Sequence, residues 1–580
     1  MVGLAIVAGI LFKLFWYDKQ PKEVGESQKV EKIVLADAPE ASLKGNAAVM
    51  LPLPSDKIAV NSGTKFTWQI MAWNSQFPLH YANGGIQTTS GSLFDKANLQ
   101  VNIVRQDDCF KTIAQFIKFA KDYKDNANTP GFVMSFMGDG VPGFSTMMKE
   151  LEELGPEYQP IVIYHMGRSN GEDQFMAPPS WKQDPKNALG GTVAGVELDG
   201  DLNIVFKWAS DNNIPVNVNT KYYDSSALNV IAAQDFLEAA NKYITGFTET
   251  RTIISKGITT SKTVTVQVDA VTTWTPGDVN ISLQKGGLVR IASTKEYSSQ
   301  MPNATIVLKK WANDHRTDIE NMIAALGQAG DQVRSFSDAK AFAAKVSAKV
   351  YGEEAQGKNF EYWLKYYNGV EEKDKQGFKT QLGGSMAFNL SDAANMFGLG
   401  EDKIDRYKVT YETFGNILAK LYPDRMKNFT PYNKITDKSF LMSVIANHNE
   451  LMTGEALKTE YAKEMTSEVS SKSYNIQFAL NSDDIKSESY KLLDEIFNSA
   501  VVAEGLKLGV YGHTDNSGSD EINIPLSERR ATAIKSYLLK KGLKEAQIEV
   551  KGYGSQKPLV DNSSEANKAK NRRVEIVLGS

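Results

Sequence analysis

The chain has 580 residues, 42% of them hydrophobic and 23% charged, with a net charge of −4 and a pI near 5.9. That is ordinary globular composition with room for several domains, and it gives no reason to expect a nucleic-acid binder, which normally carries a basic stripe. One cysteine, Cys109, excludes an intrachain disulfide, and the five histidines (His80, His165, His315, His448 and His513) have no metal-ligand spacing.

The chain opens with "MVGLAIVAGILFKLFWY", residues 1–17, whose only charge is Lys13. Seventeen residues sit at the short end of a membrane-spanning helix. Lys13 can snorkel to the headgroups, and Trp16 and Tyr17 are interfacial aromatics. A cleaved signal peptide is the rival reading, but no basic n-region precedes the apolar run and no small-x-small site directly follows it. A third reading is a buried helix of a soluble domain. Lys19, Lys22, Lys29 and Lys32 weigh against a translocated C-terminus by charge bias alone, a bias that long domains override. Residues 18–60, rich in Lys, Glu, Ala and Pro, predict a flexible linker.

Residues 61–455 form the largest unit. "TKFTWQIMAWN", "VMSFMG", "PIVIYHM" and "GGTVAGV" predict buried strands. "CFKTIAQFIKFAKDY", "LNIVFKWASDNN" and "NVIAAQDFLEAANKYI" predict helices. Alternation of the two over about 400 residues predicts an α/β architecture with parallel sheets, divided into two lobes because one sheet would be large for this length. A second linker, 456–473, leads to a smaller unit at 474–580.

In that unit "YNIQFAL", "LKLGVYGHTD", "IEVKGYG" and "RRVEIVL" predict strands. "SESYKLLDEIFNSAVV" places Leu493, Ile496, Phe497 and Ala500 on one helical face. "SERRATAIKSYLLKKG" predicts a second helix with Ser527 as N-cap and Gly542 as stop. The order βαβαββ is a two-layer α/β sandwich. Asp515 falls where a strand ends and Arg530 in the first turn of the next helix, where a cation opposes the helix dipole. An Asp and an Arg in mutual reach suit a ligand with an ammonium and a carboxylate on one carbon. A surface ion pair is the bland alternative.

These motifs resemble the OmpA-like peptidoglycan-binding domain over 474–580. "GHTDNSG", "NIPLSERRA", "GYGSQKP" and "NRRVE" occur in the family's order. The resemblance implies that Asp515 and Arg530 bind the zwitterionic end of a diaminopimelate stem peptide. It implies that Asn481 makes a further contact, that Arg572 borders the site, and that Asn523, Leu526 and Ser527 shape it. A stem with lysine at that position lacks the second carboxylate and would leave Arg530 without a partner.

The middle unit resembles type II periplasmic substrate-binding proteins of the nitrate/sulfonate/taurine group over about 65–445, through layout more than strict motif. "FTWQIMAWNSQFPLHYANGG" resembles the first strand and ligand loop, "GRSNGEDQFMAPP" the hinge turn, and "VDAVTTWTP" and "NLSDAANMFG" later segments. The implied cleft residues are Trp73, Asn74 and Ser75; Gly138 and Asp139; Ser169, Asn170, Glu172 and Asp173; and Asp269 with Trp274 from the other side. Where the group's members hold an anion, this chain carries Glu197, Asp199 and Asp201, which argues against an anionic ligand. A cation, an amine, a protein partner or no ligand at all fits such a segment, and a solvated acidic loop is the first expectation there.

No phosphate-binding Gly-rich loop, G-x-S-x-G or H-E-x-x-H occurs, and no carboxylate pair has catalytic spacing, so no enzyme activity, metal or cofactor is expected. The expected protein is anchored by a single pass in a bacterial inner membrane, with its bulk in the periplasm. It binds peptidoglycan and carries a solute-binding domain that presents or senses a ligand. A multi-spanning membrane protein is a possible partner. Two other readings stay open. One is a subunit of a stator-type ion-driven complex, against which the lack of an acidic residue in 1–17 counts. The other is a structural tether with a vestigial cleft.

Overall fold

The computed structural model describes residues 47–579 other than 296, 298, 402, 454–460, 462–463, 466–467, 480–481, 503 and 505. The expected anchor at 1–17, most of the first linker and the candidate Asn481 lie outside the described residues. Among the described residues no helix is long and apolar enough to cross a membrane.

The linker expected through residue 60 ends earlier. From residue 47 the chain lies along the middle unit, where Ala47 N–H donates to Ser335 Oγ (3.0 Å) and Leu51 N–H to Gln332 Oε1 (2.8 Å). The strands then run in chain order as β1 (Thr64–Ile70), β2 (Leu99–Arg105), β3 (Gly131–Met137), β4 (Pro160–Ser169), β5 (Gln174–Ala177), β6 (Thr192–Val196), β7 (Val216–Asn217), β8 (Leu228–Ala233), β9 (Ala270–Thr273), β10 (Val289–Ser293), β11 (Pro302–Leu308) and β12 (Ser385–Ala387). β1 forms because its sequence alternates: Phe66, Trp68 and Ile70 face one side and are buried. Trp68 stacks on Phe94 and donates to Ser135 Oγ at 3.0 Å. The helix Cys109–Asp125 starts where Asp108 accepts the Lys111 N–H, and its Phe116 packs edge-on to Phe132 of β3.

These strands make two mixed sheets of six, not purely parallel ones. The first has the order β12-β4-β11-β3-β1-β2 and the second β10-β5-β9-β6-β8-β7. Their cores share one plan. In the first, β1 is parallel to β2 and β3, and β11 lies antiparallel between β3 and β4. In the second, β6 is parallel to β8 and β9, and β5 lies antiparallel between β9 and β10. The chain crosses between the sheets from β4 to β5 and returns from β10 to β11. A separate three-stranded sheet pairs Thr248–Ser255 with Ile258–Gln267 and Tyr222–Asp224.

One predicted helix is half strand. In "NVIAAQDFLEAANKYI" the residues through Ala233 belong to β8, and the helix is only Phe236–Thr245. Leu228, Val230 and Ile231 are buried in the sheet interior, where β-branched side chains fit. Asp235 accepts the Glu238 N–H at 2.7 Å and so fixes the helix start after the strand.

The C-terminal sheet has the order β13-β16-β14-β15, from β13 (Glu468–Tyr474), β14 (Lys507–Gly512), β15 (Ile548–Gly552) and β16 (Val574–Gly579). The ladder therefore begins before the boundary expected at 474. Of "YNIQFAL" only Tyr474 lies in the strand; beyond it Ile476 is buried and Phe478 bridges to Ile485. Helices Tyr490–Val502 and Asp520–Lys540 cover one face, burying Leu493, Ile496 and Ala500 against Leu508, Val510, Ile534 and Leu538. A short helix, Glu565–Asn571, precedes β16 and was not expected. The helix carrying Arg530 starts at Asp520, with Ser519 as N-cap, and runs through Pro525. Arg530 is therefore in its third turn, and the expected dipole conflict does not arise.

Candidate functional site

Two clusters carry the candidate chemistry. In the C-terminal domain the loop after β14 is held against the helix Asp520–Lys540 by small residues. Gly512 and Gly552 are opposed in the β14–β15 ladder. A Cβ on Gly512 would lie 2.2 Å from the Ser527 carbonyl oxygen, and one on Gly552 2.6 Å from the Glu528 nitrogen. Backbone thus packs on backbone, and only glycine fits. Gly512→Ala is expected to lower the stability of this domain by about 1–3 kcal/mol, read as a lower melting temperature by circular dichroism.

Asn523, Ser527 and Arg530 lie at i, i+4 and i+7 and so share a face of that helix. Asn523 Nδ2 donates to the carbonyls of Asp515 (3.2 Å) and Gly518 (2.8 Å). Ser527 Oγ accepts the Gly554 N–H at 3.0 Å. Arg530 Nε donates to the Ser482 carbonyl at 3.0 Å, and its guanidinium lies 4.9 Å from the Phe478 ring centroid. Asp515 is buried; its Oδ1 accepts the Ser517 N–H at 2.8 Å and its Oδ2 pairs with Arg572 Nη1. Burial pushes the Asp515 carboxyl up, but hydrogen bonds from Arg572 and Ser517 outweigh it and hold the group below the ordinary carboxylate range. The structure thus gives Asp515 Arg572 rather than Arg530 as its direct partner, while Arg530 contacts the segment holding Phe478 and Ser482. An ionised carboxylate can accept an ammonium while a guanidinium takes a carboxylate.

The second cluster lies where the C-terminal ends of parallel strands from both sheets meet, which is where open α/β sheets present ligand loops. Trp73, after β1, donates from Nε1 to Asp173 Oδ2 at 2.9 Å. The Asn74 N–H reaches Glu172 Oε1 at 3.3 Å, and Ser75 Oγ accepts from Asn303 Nδ2 at 2.9 Å. Trp274, after β9, donates to the Ala72 carbonyl at 2.7 Å and so joins the second sheet to the first. Asp139 Oδ2, after β3, accepts from Gln300 Nε2 (2.8 Å) and Asn203 Nδ2 (3.2 Å). Ser169 Oγ and Thr294 Oγ1 are 2.6 Å apart, tying the β4–β5 crossing to the segment after β10. The Asn170 N–H donates to the Gly384 carbonyl at 2.8 Å.

Two expectations fail here. Asp269 precedes β9, at the opposite end of the strand from Trp274. Its Oδ2 accepts from the N–H of Thr192, the first residue of β6, at 3.0 Å. It belongs to the strand starts, away from the cluster around Trp274. The acidic loop is also not solvated. Asp199 and Asp201 have no exposed surface, and only Glu197 turns outward, to Arg425 Nη1 at 2.7 Å. Leu198, between Glu197 and Asp199, has φ of 63°, a left-handed conformation that costs a leucine energy.

The buried carboxylates hold protons strongly. Burial raises Asp139 to about 7 against hydrogen bonds from Gln300 and Asn203. Burial raises Asp173 to about 7 against Ser169 and Trp73, helped by the charges of Asp139 and Asp278. Burial raises Asp278 to about 6. It pushes Glu172, Asp199 and Asp201 well above the ordinary range, with neighbouring carboxylates adding to it. Gln300, Asn203, Asn303, Thr294 and Asp278 were missed from sequence; none stands in a motif. Among the described residues no group of three or more His, Cys, Asp or Glu is placed to hold a metal ion.

Residues 477–572 match the OmpA family, so the C-terminal domain is an OmpA-family domain. The chain is 37% identical over 99 residues to the peptidoglycan-associated lipoprotein of Pseudomonas aeruginosa, covering 17% of this chain and 58% of that protein. It is 36% identical over 106 residues to the outer-membrane lipoprotein YfiB of the same organism, covering 18% and 63%. The chain thus spans about three fifths of these relatives. A crystal structure of the peptidoglycan-associated lipoprotein from Burkholderia pseudomallei is 28% identical, covering 18% of this chain and 88% of that one, with a TM-score of 0.17. At that score the likeness supports no inference about the whole chain.

Proposed function

We propose that this is a cell-envelope binding protein that grips peptidoglycan through its OmpA-family domain and carries a solute-binding domain in the periplasm, tethered by residues 1–17 to the inner membrane. The observation that carries the first part is the buried Asp515 carboxylate, ionised by Arg572, beside the helix face that presents Arg530. Its similarity to proteins named for peptidoglycan association supports the same reading. The shared plan of the two sheets, with polar residues gathered between their strand ends, supports a two-lobed receptor. Small-molecule sites favour such domain interfaces. The protein binds rather than catalyses in this reading, because the clustered carboxylates are shut from solvent.

The test is co-sedimentation of the full chain with purified peptidoglycan of two kinds. Diaminopimelate-type sacculi are expected to carry it down and lysine-type sacculi to leave it in the supernatant. Equal binding to both, or to neither, overturns the proposed recognition.

A further inference from the structure

We propose that the buried acidic cluster between the strand ends of the two sheets is a receptor site for a small organic cation, an aliphatic ammonium, recognised by Asp139, Asp173, Asp199 and Asp201. The proposal deepens, and rests on, the solute-binding reading above.

The four carboxylates come from both sheets. Asp139 follows β3 and Asp173 leads into β5. Asp199 and Asp201 follow β6, at the start of the helix Gly200–Asp211. The two turns that carry them touch. A Cβ on Gly200 would lie 2.5 Å from Asp139 Oδ1, and one on Gly143 2.2 Å from the Leu198 carbonyl oxygen. All four side chains have no exposed surface. Each of Asp173, Asp199 and Asp201 feels the charge of others in the set, and no cation is among the main influences on any of them or on Asp139. Lys207, buried further along the same helix, lies over the Tyr297 ring at 4.2 Å.

A cluster of acids alone would say little. What points to a ligand is the unmet hydrogen bonding. Neither carboxylate oxygen of Asp201 has a partner, nor do Asp139 Oδ1, Asp173 Oδ1, Asn203 Oδ1 or Gln300 Oε1, all of them buried. The shortage is of donors. Native proteins rarely leave buried polar atoms unpaired, and a set like this marks a missing group. An ammonium brings three donors and a positive charge and has no acceptor of its own. A metal ion fits less well, because these oxygens are not grouped at ligand spacing. An anion would meet more unpaired acceptors than donors, Asn74 Nδ2 being the unpaired amide donor in the cluster. With both turns in contact, entry requires the sheets to part about the β4–β5 and β10–β11 crossings.

The experiment is isothermal titration of the full chain, wild type and Asp201→Asn, with putrescine, ethanolamine, sulfate and nitrate. At least one amine is expected to bind the wild type, and roughly ten- to a hundredfold more weakly after the substitution, the loss of one or more charge-assisted bonds. Asp139→Asn serves as the second variant if Asp201→Asn does not fold. Amine binding that neither substitution weakens overturns the assignment of the site. Binding of sulfate or nitrate without either amine overturns the cation proposal and leaves the receptor reading standing. Silence toward all four overturns both.

Discussion

Replacing Asp515 by alanine is expected to release the protein from diaminopimelate-type peptidoglycan. The carboxylate is buried, ionised, and held by the Ser517 N–H and Arg572. Truncating one member of such a buried charged set costs roughly 2–5 kcal/mol, or about thirtyfold to several thousandfold in affinity. In a sedimentation assay the bound fraction should fall to that of a protein without the domain. Asp515→Asn is the sharper variant, because its amide oxygen can still close the turn at Ser517 while offering an ammonium no charge. It should lose binding with the fold intact. Arg530→Lys keeps the charge but not the planar pair of donors, and is expected to lose nearly as much as Arg530→Ala. The exposed neighbour Arg529→Ala should bind like wild type. Retained binding in Asp515→Asn and Arg530→Ala together would show that the wall is held elsewhere.

The second large effect is on stability and runs against the usual direction. An unfolded aspartate titrates near 3.9. Asp139 and Asp173 titrate at about 7 in the fold because burial disfavours their charge. Between those values the native state binds more protons than the unfolded state, so stability falls as pH rises. Their contribution is complete below about pH 4 and lost by about pH 7. Between pH 5 and 7 each group is expected to remove about 1.4 kcal/mol per pH unit. Calorimetry of the full chain should show the transition of the middle domain moving down by several degrees from pH 5 to 7. Asp139→Asn should flatten the slope. A transition that is constant or rises over this range in the wild type would mean that these carboxyls are not buried in neutral form.

The parts legible in sequence are those whose cause is local. The OmpA-family site reads from short strings because Gly512, Asp515, Asn523, Ser527 and Arg530 fall within nineteen consecutive residues of a strand, a loop and a helix. The Asp515–Arg572 pair spans 57 residues and depends on β16 returning beside β14, which no local pattern records. The β1 and β3 strands announce themselves by alternation or by a continuous apolar run, but nothing in β5 or β11 tells that each will lie antiparallel in its sheet. Asp269 sits close to Trp274 in sequence, yet the length of β9 puts the two at opposite ends of the strand. Asp199 and Asp201 read as solvated because charged residues usually are. Their burial comes from two turns, sixty residues apart, closing on each other.

The placing of β11 has a consequence for how the protein is made. It fills the gap between β3 and β4, yet it begins more than 130 residues after β4 ends and must wait for the whole second sheet to be synthesised. Until residue 308 is available, the facing edges of β3 and β4 are open rows of unpaired amides and carbonyls, the kind of edge that invites aggregation. Pairings of such sequence separation also form slowly. The first half of the middle unit is therefore no independent folding unit. A chain cut anywhere between β5 and β11 should yield neither half in native form, and export across a membrane would favour a chain that stays unfolded until most of it has passed.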